Sequence, residues 1–547
     1  MPDTTFTATP EQEAAVEAFL EGKDLKLVAV AGSGKTTTLR LMAEAAPKRR
    51  LLYLAFNRAI RDEARGKMPP NTQVHTLHSL VFGEMVRSDP GFAAKFEAGK
   101  GQVRAYHIRE ALGLDVVEAY VVKATLENFL RSNLARPHPS MVPPPYREAL
   151  RRKTWGNHGE ILEAIVGSVK TLWDRMRDPE DPFPLSHDGY VKLWAANGGS
   201  FPPVEGLLVD EAQDLNPVFI GVLESKTGMQ RVYVGDPAQQ IYAWRGAVNA
   251  MAVLGGEERR LSWSFRFGPE LAALVRGFMG RVGRDLALEG RAPWPTRVAP
   301  FSSSAPVGLP AAVLCRTNAG VVQAALSLGV QRFHIQGGVE ETVHLLQDAE
   351  ALRRGAPRPN PHPDLLLLES WDDLEALAEE LKDPTAGILV RLAQHYKDLG
   401  LLADYLHRAH VANPKAAPLV LSTAHKAKGK EWHRVVLWDD FPTVWRREER
   451  EGLLARGLDL HEEENLLYVA MTRAMEGLHL RPPLDELLEA SSLVLPGAEE
   501  APPPSPGSLL GRILLFLDAL GSREDLPEEV RREALSLSQE ALERLSS

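Results

Sequence analysis

Residues 25–40 read LKLVAVAGSGKTTTLR. The first six form a short apolar run of strand type, AGSG supplies two glycines for a tight loop, and KTTTLR opens a helical pattern. A strand that runs through a glycine loop into a helix start aims the backbone N–H groups of Gly32 to Lys35 at one point, and the helix N-terminus adds positive potential there. Such a loop cradles phosphate. Ala31, Gly32, Ser33, Gly34, Lys35, Thr36 and Thr37 are its expected nucleotide-binding residues, with Lys35 on the β- and γ-phosphates and the Thr36 hydroxyl on Mg²⁺. Ala29 stands where such a loop usually begins with Gly. Taken alone, this stretch predicts nucleotide binding and an α/β fold with a parallel sheet.

Outward from it, apolar runs at residues 51–56 (LLYLAF), 206–210 (GLLVD) and 231–235 (RVYVG) read as the second, third and fourth strands of the same sheet. The pattern restarts after a Pro-rich stretch. Residues 311–315 and 419–423 read as strands, 318–328 as a helix and 435–438 as another strand, so two α/β cores stand in tandem. The chain has 547 residues, and at roughly 150 per domain this allows about three or four domains. The expected division is 1–83 and 202–291 for the first core, 84–201 for a helical insertion and 292–310 for a Pro-rich hinge. The second core takes 311–354 and 415–484, with a short insertion at 355–414, and a linker and helical tail at 485–547.

Formal net charge is −10, which neither favours nucleic-acid binding nor excludes it, because the local field decides. A single cysteine, Cys315, excludes an internal disulfide framework and Cys-rich metal centres; in AAVLCRT it reads as a buried strand residue. No apolar run nears the ~20 residues that span a bilayer, and the N-terminus carries no secretory pattern. The expectation is a cytoplasmic, nucleoid-associated protein with no membrane partner.

The run LLVDEAQD, residues 207–214, ends an apolar strand in two acids. Beside a phosphate loop, Asp210 suits Mg²⁺ coordination, and Glu211 suits orientation and deprotonation of an attacking water. The inserted domain accounts for their distance in sequence from Lys35.

GDPAQQIYAWRGA (235–247) follows. With DEAQD it resembles the UvrD/Rep/PcrA branch of superfamily-one DNA helicases, and the other motifs of that branch follow in order. They are TPEQEAAVEAF (9–19), YLAFNRAI (53–60), HTLHSL (75–80), SWSFRFG (262–268), CRTN (315–318), LSTAHKAKGKEWHRVVL (421–437) and EEENLLYVAMTRA (462–474). The details HKAKGKEW, EENLLYVAMTRA and SFRFG most resemble the helicase core of the F-box DNA helicases, although no F-box-like segment is evident. The resemblance implies a fold of two tandem RecA-like P-loop domains, each interrupted by a mostly helical insertion.

It also implies site roles. Lys35, Asp210, Glu211, Gln239, Arg266 and Arg473 would be catalytic, with Gln239 sensing the γ-phosphate and the two arginines serving as fingers. Gln12 would read the adenine edge and Phe265 stack on the ring, while Glu431 would contact the ribose or link the cores. Phe56, Asn57, Arg58, His78, Tyr242, Trp244 and His425 would follow single-stranded DNA, with aromatic rings stacking on bases. The implied substrates are ATP with Mg²⁺, and single-stranded DNA with its junctions to duplex. The implied movement is 3′-to-5′, in repair, replication or recombination. Three rivals stay open: a 5′-to-3′ helicase of the RecD or Dda type, a translocase that strips proteins from single-stranded DNA, and a DNA-binding scaffold without turnover. The C-terminal tail is a candidate contact for a protein partner.

Overall fold

A computed structural model describes residues 7–144, 146–147, 158–226, 228–241, 250–301, 311–366, 368–380, 384–455 and 459–490. Its strands are β1 (Leu25–Ala29), β2 (Leu51–Ala55), β3 (Thr72–Thr76), β4 (Gly206–Val209), β5 (Gln230–Gly235), β6 (Glu257–Leu261), β7 (Trp263–Ser264), β8 (Glu289–Gly290), β9 (Arg297–Pro300), β10 (Ala311–Cys315), β11 (His334–Ile335), β12 (Leu419–Thr423), β13 (Trp432–Leu437) and β14 (Ala474–Leu480). Two six-stranded sheets result, ordered β3-β2-β4-β5-β1-β6 and β11-β12-β10-β13-β14-β9. Every pairing in both is parallel. These are two tandem RecA-like α/β cores.

A parallel strand covered on both faces must be apolar on both, and these strands divide accordingly. In the first sheet, Leu51, Tyr53, Ala55, Leu208, Val232 and Val234 face one cluster, which the helices Pro10–Leu20 and Lys35–Ala45 cover. Leu52, Leu54, Leu207, Val209 and Tyr233 face the other, where the inserted helices pack with Leu126, Phe129, Leu172 and Trp194. The insertion is thus fastened to the sheet by its own apolar side chains. In the second sheet, Ala312, Leu314, Val435 and Leu437 face the helices Pro269–Arg281 and Leu460–Met471. Ala311, Val313, Cys315 and Leu421 face the opposite layer.

The structure changes four expectations. The insertion enters after the third strand, not the second, because TQVHT is β3; Val74 is its one apolar residue, which conceals the strand. Strand β6, EERRL, has the same concealment: it lies at the sheet edge, where only Leu261 is buried. The first core does not extend to residue 291 as a packing unit. Leu271, Leu274, Val275 and Phe278 join the apolar cluster of the second sheet. The 292–310 hinge is not wholly a linker, since residues 297–300 are edge strand β9, parallel to β14. Residues 302–310 lie outside the described residues, as does everything after residue 490.

The 355–414 segment is a layer of the second core. Leu374, Ile388, Leu389, Leu402 and Leu406 from its helices Trp371–Glu380, Pro384–His395 and Leu399–Ala409 share one cluster with the sheet. Cys315 is fully buried, and burial holds its thiol well above the ordinary range. Among the described residues no helix is long and apolar enough to cross a membrane.

Leu208, in a central strand, is fully buried. Leu208→Ala is expected to destabilise the protein by about 2–5 kcal/mol, the range for a cavity in a core that relaxes little. The denaturant midpoint measures this; a loss below ~1 kcal/mol would mean that the sheet collapses to fill the space.

Candidate functional site

The phosphate loop takes its shape from two glycines in the left-handed region, Gly32 at φ +74° and Gly34 at φ +78°. Gly32 also has no room for a side chain, because a Cβ there would lie 2.7 Å from Arg266 Cβ and 2.7 Å from Ser264 Oγ. Gly34 precedes the helix Lys35–Ala45, so the free N–H groups of that helix open into the loop. Ser33 Oγ is buried and has no hydrogen-bond partner among the described residues. An unpaired buried hydroxyl beside free helix N–H groups fits an anionic ligand.

β4 carries the acids to this loop. The Thr36 hydroxyl donates to Asp210 Oδ2 at 2.8 Å, and the Tyr53 hydroxyl donates to the same oxygen at 2.5 Å. Lys35 Nζ lies 3.2 Å from Glu211 Oε1. Burial opposes ionisation of Glu211, but Lys35 and then Lys428 outweigh it and hold the carboxyl at about 2. Asp210 moves upward, first through burial and then through the adjacent Glu211 charge. A hydroxyl and a carboxylate 2.8 Å apart form the hard-oxygen donor set that suits Mg²⁺.

The second core closes over this site. Arg473 is 1% exposed. Its guanidinium donates to Val469 O (2.8 Å), Lys430 O (3.2 Å) and Thr472 Oγ1 (3.0 Å), and reaches Gln239 Oε1 at 3.4 Å. Burial, then the nearby Arg266, lowers it to about 9, so it remains charged at neutral pH. Arg266 pairs with Glu431 at 2.7 Å and donates to Thr472 O at 3.1 Å. Glu431 of the second core is thus tied to Arg266 by an ion pair. Gln12 is buried and its carboxamide is engaged: Oε1 accepts from Thr9 N at 3.0 Å, and Nε2 donates to Thr38 Oγ1 at 3.1 Å. Phe265 is exposed beside the loop, its amide donating to Gly32 O at 2.9 Å.

Three residues to which the sequence motifs assign no role complete this site: Tyr468, Gln213 and Lys428. Tyr468 of the second core accepts from Ala31 N–H at 3.1 Å and donates to Asp236 Oδ2 at 2.9 Å. Gln213 donates to Glu211 Oε2 at 2.6 Å and accepts from Asp236 N–H at 3.0 Å. Lys428 donates to both oxygens of Asp214, at 2.6 and 2.7 Å, and to Gln239 O at 2.5 Å. The available signal for Tyr468 was a hydroxyl in the apolar helix run LLYVAM, where it needs a partner.

The expected DNA residues divide. Phe56, Asn57, Arg58 and His78 line one cleft of about 830 Å³ between the first core and its insertion. Asn57 caps a helix there, its Oδ1 accepting from Ile60 N at 3.0 Å. The His78 ring sits edge-on to Phe219 at 5.6 Å. His425 lies on the short helix Ala424–Ala427 and is not among the residues lining that cleft. Tyr242 and Trp244 lie outside the described residues.

Residues 360–481 match the UvrD-like helicase C-terminal domain, and residues 12–245 match an AAA domain. Over these regions the chain is similar to the UvrD-like helicases. It is 28% identical over 522 residues to F-box DNA helicase 1 of Gallus gallus, covering 88% of this chain and 49% of that protein. It is also 28% identical to F-box DNA helicase protein 1 of Schizosaccharomyces pombe, covering 88% and 58%. It is 28% identical over 337 residues to the ATP-dependent DNA helicase UvrD2 of Mycobacterium tuberculosis, covering 50% of this chain and 46% of that protein. This UvrD-like chain spans about half the length of the curated relatives it matches.

Asp214 is buried, and burial raises its carboxyl to about 6 against the pull of Lys428. Lys428→Met removes the ammonium from both its oxygens and is expected to cost about 3–5 kcal/mol, while adding Asp214→Leu should recover most of the loss. Calorimetric melting of the single and double variants checks this. A single-variant loss under ~1 kcal/mol would place the pair with exposed ion pairs.

Proposed function

We propose that this UvrD-like protein is an ATP-driven motor that moves along single-stranded DNA and unwinds duplex at junctions, in the 3′-to-5′ direction, serving repair, replication or recombination. One observation carries the reading: a phosphate loop and paired acids on the first core face Arg473 from the second across one buried site. A simple phosphate clamp has no need of a charged group on a separate core.

In this reading the loop N–H groups and Lys35 bind the β- and γ-phosphates, and Lys35 turns from Glu211 to do so. Thr36 and Asp210 would hold Mg²⁺, which supplies positive charge to the phosphate oxygens when bound. Glu211 accepts the proton of the attacking water as the γ-phosphorus–oxygen bond to ADP breaks. Arg473 and Arg266 stabilise charge on the transferring group, and Gln239 senses its departure. Gln12 exchanges its present partner for the adenine edge, and Phe265 stacks on the ring. ATP holds the cores together and its loss lets them part. Phe56, Arg58 and His78 grip the strand on one side, while Tyr242, Trp244 and His425 complete the track. Each cycle then shifts the strand.

The names of the relatives support DNA as the track. A second reading, a translocase that clears proteins from single strands with little unwinding, is favoured by the 355–414 segment, which packs as a layer of the second core.

Lys35→Ala should abolish DNA-stimulated ATP hydrolysis, and Arg473→Ala should lower kcat by about 10³–10⁵-fold. Full DNA-stimulated turnover in Lys35→Ala would sink the motor reading. Strand displacement on duplexes with opposite tails tests direction: unwinding from a 3′ tail alone is expected, and unwinding only from a 5′ tail would point to the RecD or Dda type. Clearance of a recombinase-coated strand without duplex separation would select the second reading.

A further inference from the structure

We propose that Gln213 is a positioning residue for Glu211, and that it carries to Glu211 the docking of the second core, sensed through Tyr468. The proposal rests on the ATPase reading above.

Glu211 adopts φ 53°, ψ 42°, a left-handed conformation that residues with a Cβ seldom take. Its carboxylate therefore depends on its neighbours for direction. Two groups hold it, Lys35 Nζ on Oε1 at 3.2 Å and Gln213 Nε2 on Oε2 at 2.6 Å. When Lys35 turns to phosphate, Gln213 is the donor of the two that stays.

Gln213 is fully buried, and the far end of its carboxamide is tied to Asp236, whose N–H donates to Oε1 at 3.0 Å. Gly235 makes this contact possible, since a Cβ there would lie 2.5 Å from Gln213 Oε1 and 3.0 Å from Gln213 N. Asp236 Oδ2 in turn accepts from Gln239 Nε2 at 2.6 Å and from the Tyr468 hydroxyl at 2.9 Å. That hydroxyl also accepts the Ala31 N–H of the phosphate loop at 3.1 Å.

The path runs Ala31, Tyr468, Asp236, Gln213, Glu211. Of these, Tyr468 alone comes from the second core. When the cores part, the buried Asp236 carboxylate loses a donor, and the loop whose N–H fixes Gln213 loses its anchor. Glu211 is then free to leave its working direction. A primary carboxamide suits the middle of this path because one rigid plane donates at one end and accepts at the other. The consequence is that water activation waits for core closure, so ATP bound to an open pair of cores is not spent.

The experiment compares Tyr468→Phe, Gln213→Met and their double variant in the full chain. Each is measured for DNA-stimulated kcat, for affinity toward a fluorescent non-hydrolysable ATP analogue, and for melting temperature. Each single change should lower kcat about 10- to 100-fold, as loss of positioning does, with analogue affinity within about three-fold of wild type. The double variant should be no more than about three-fold worse than the weaker single, because both cut one path. Gln213→Glu keeps an acceptor for Asp236 N–H but no donor for Glu211, and should lose as much kcat as Gln213→Met. Effects that multiply, analogue affinity that falls in step with kcat, or a Gln213→Glu variant at wild-type rate would each overturn the proposal. Should Gln213→Met fail to fold, Gln213→Glu replaces it in the cycle. A wild-type chain that hydrolyses no ATP would remove the ATPase reading itself, whereas an active wild type with independent variant effects would remove only this path.

Discussion

Four carboxylates, Asp210, Glu211, Asp214 and Asp236, crowd one small volume beside the phosphate loop, and three of them are almost wholly buried. Buried charge is tolerated only when paired and hydrogen-bonded. The first core supplies one cation to this group, Lys35, together with the hydroxyls of Thr36 and Tyr53 and the amide of Gln213. Gln239 of the first core also donates to Asp236, and further partners come from across the gap: Lys428 on Asp214 and Tyr468 on Asp236, with Arg473 against Gln239. The site is therefore electrostatically complete only with both cores together. The same surplus of negative charge that holds the second core in place leaves a loop ready to exchange carboxylate partners for phosphate.

This arrangement joins stability to chemistry. An arginine pulled down to about 9 by burial and by a second guanidinium is poorly compensated as it stands, and an arriving anionic group relieves it. A glutamate held at about 2 by two ammonium groups is a weak base until one of them turns away. In the proposed motor, both features would place the barrier to hydrolysis under the control of which cations face which acids. That depends on the relative position of the two cores, the variable a motor must couple to movement.

Much of the fold was legible because parallel strands covered on both faces leave unbroken apolar runs. LKLVA, LLYLA, GLLV, AAVLC and LVLST announce themselves in this way. Edge and partly exposed strands escape such reading. TQVHT and EERRL are polar at all but one position each, and RVAP sits inside a Pro-rich stretch that resembles a linker. Domain limits were legible from composition only. The helix Pro269–Arg281 follows the first core in sequence, yet its apolar stripe packs in the second.

The sequence by itself determined the phosphate loop, the strand that ends in Asp210 and Glu211, and an order of motifs that resembles the UvrD-like helicases. Each of these is local: a glycine that must be left-handed, an acid at a strand end, an arginine just past a helix end. Only the tertiary structure decided which acid each distant cation meets, that Glu431 joins Arg266, and that Tyr468 and Gln213 complete the hydrogen bonds of Asp236 and Glu211. The physical reason is that burial, not sequence neighbourhood, sets the demand for those partners. A carboxylate in water needs none, and burial arises only once the two cores have packed against each other.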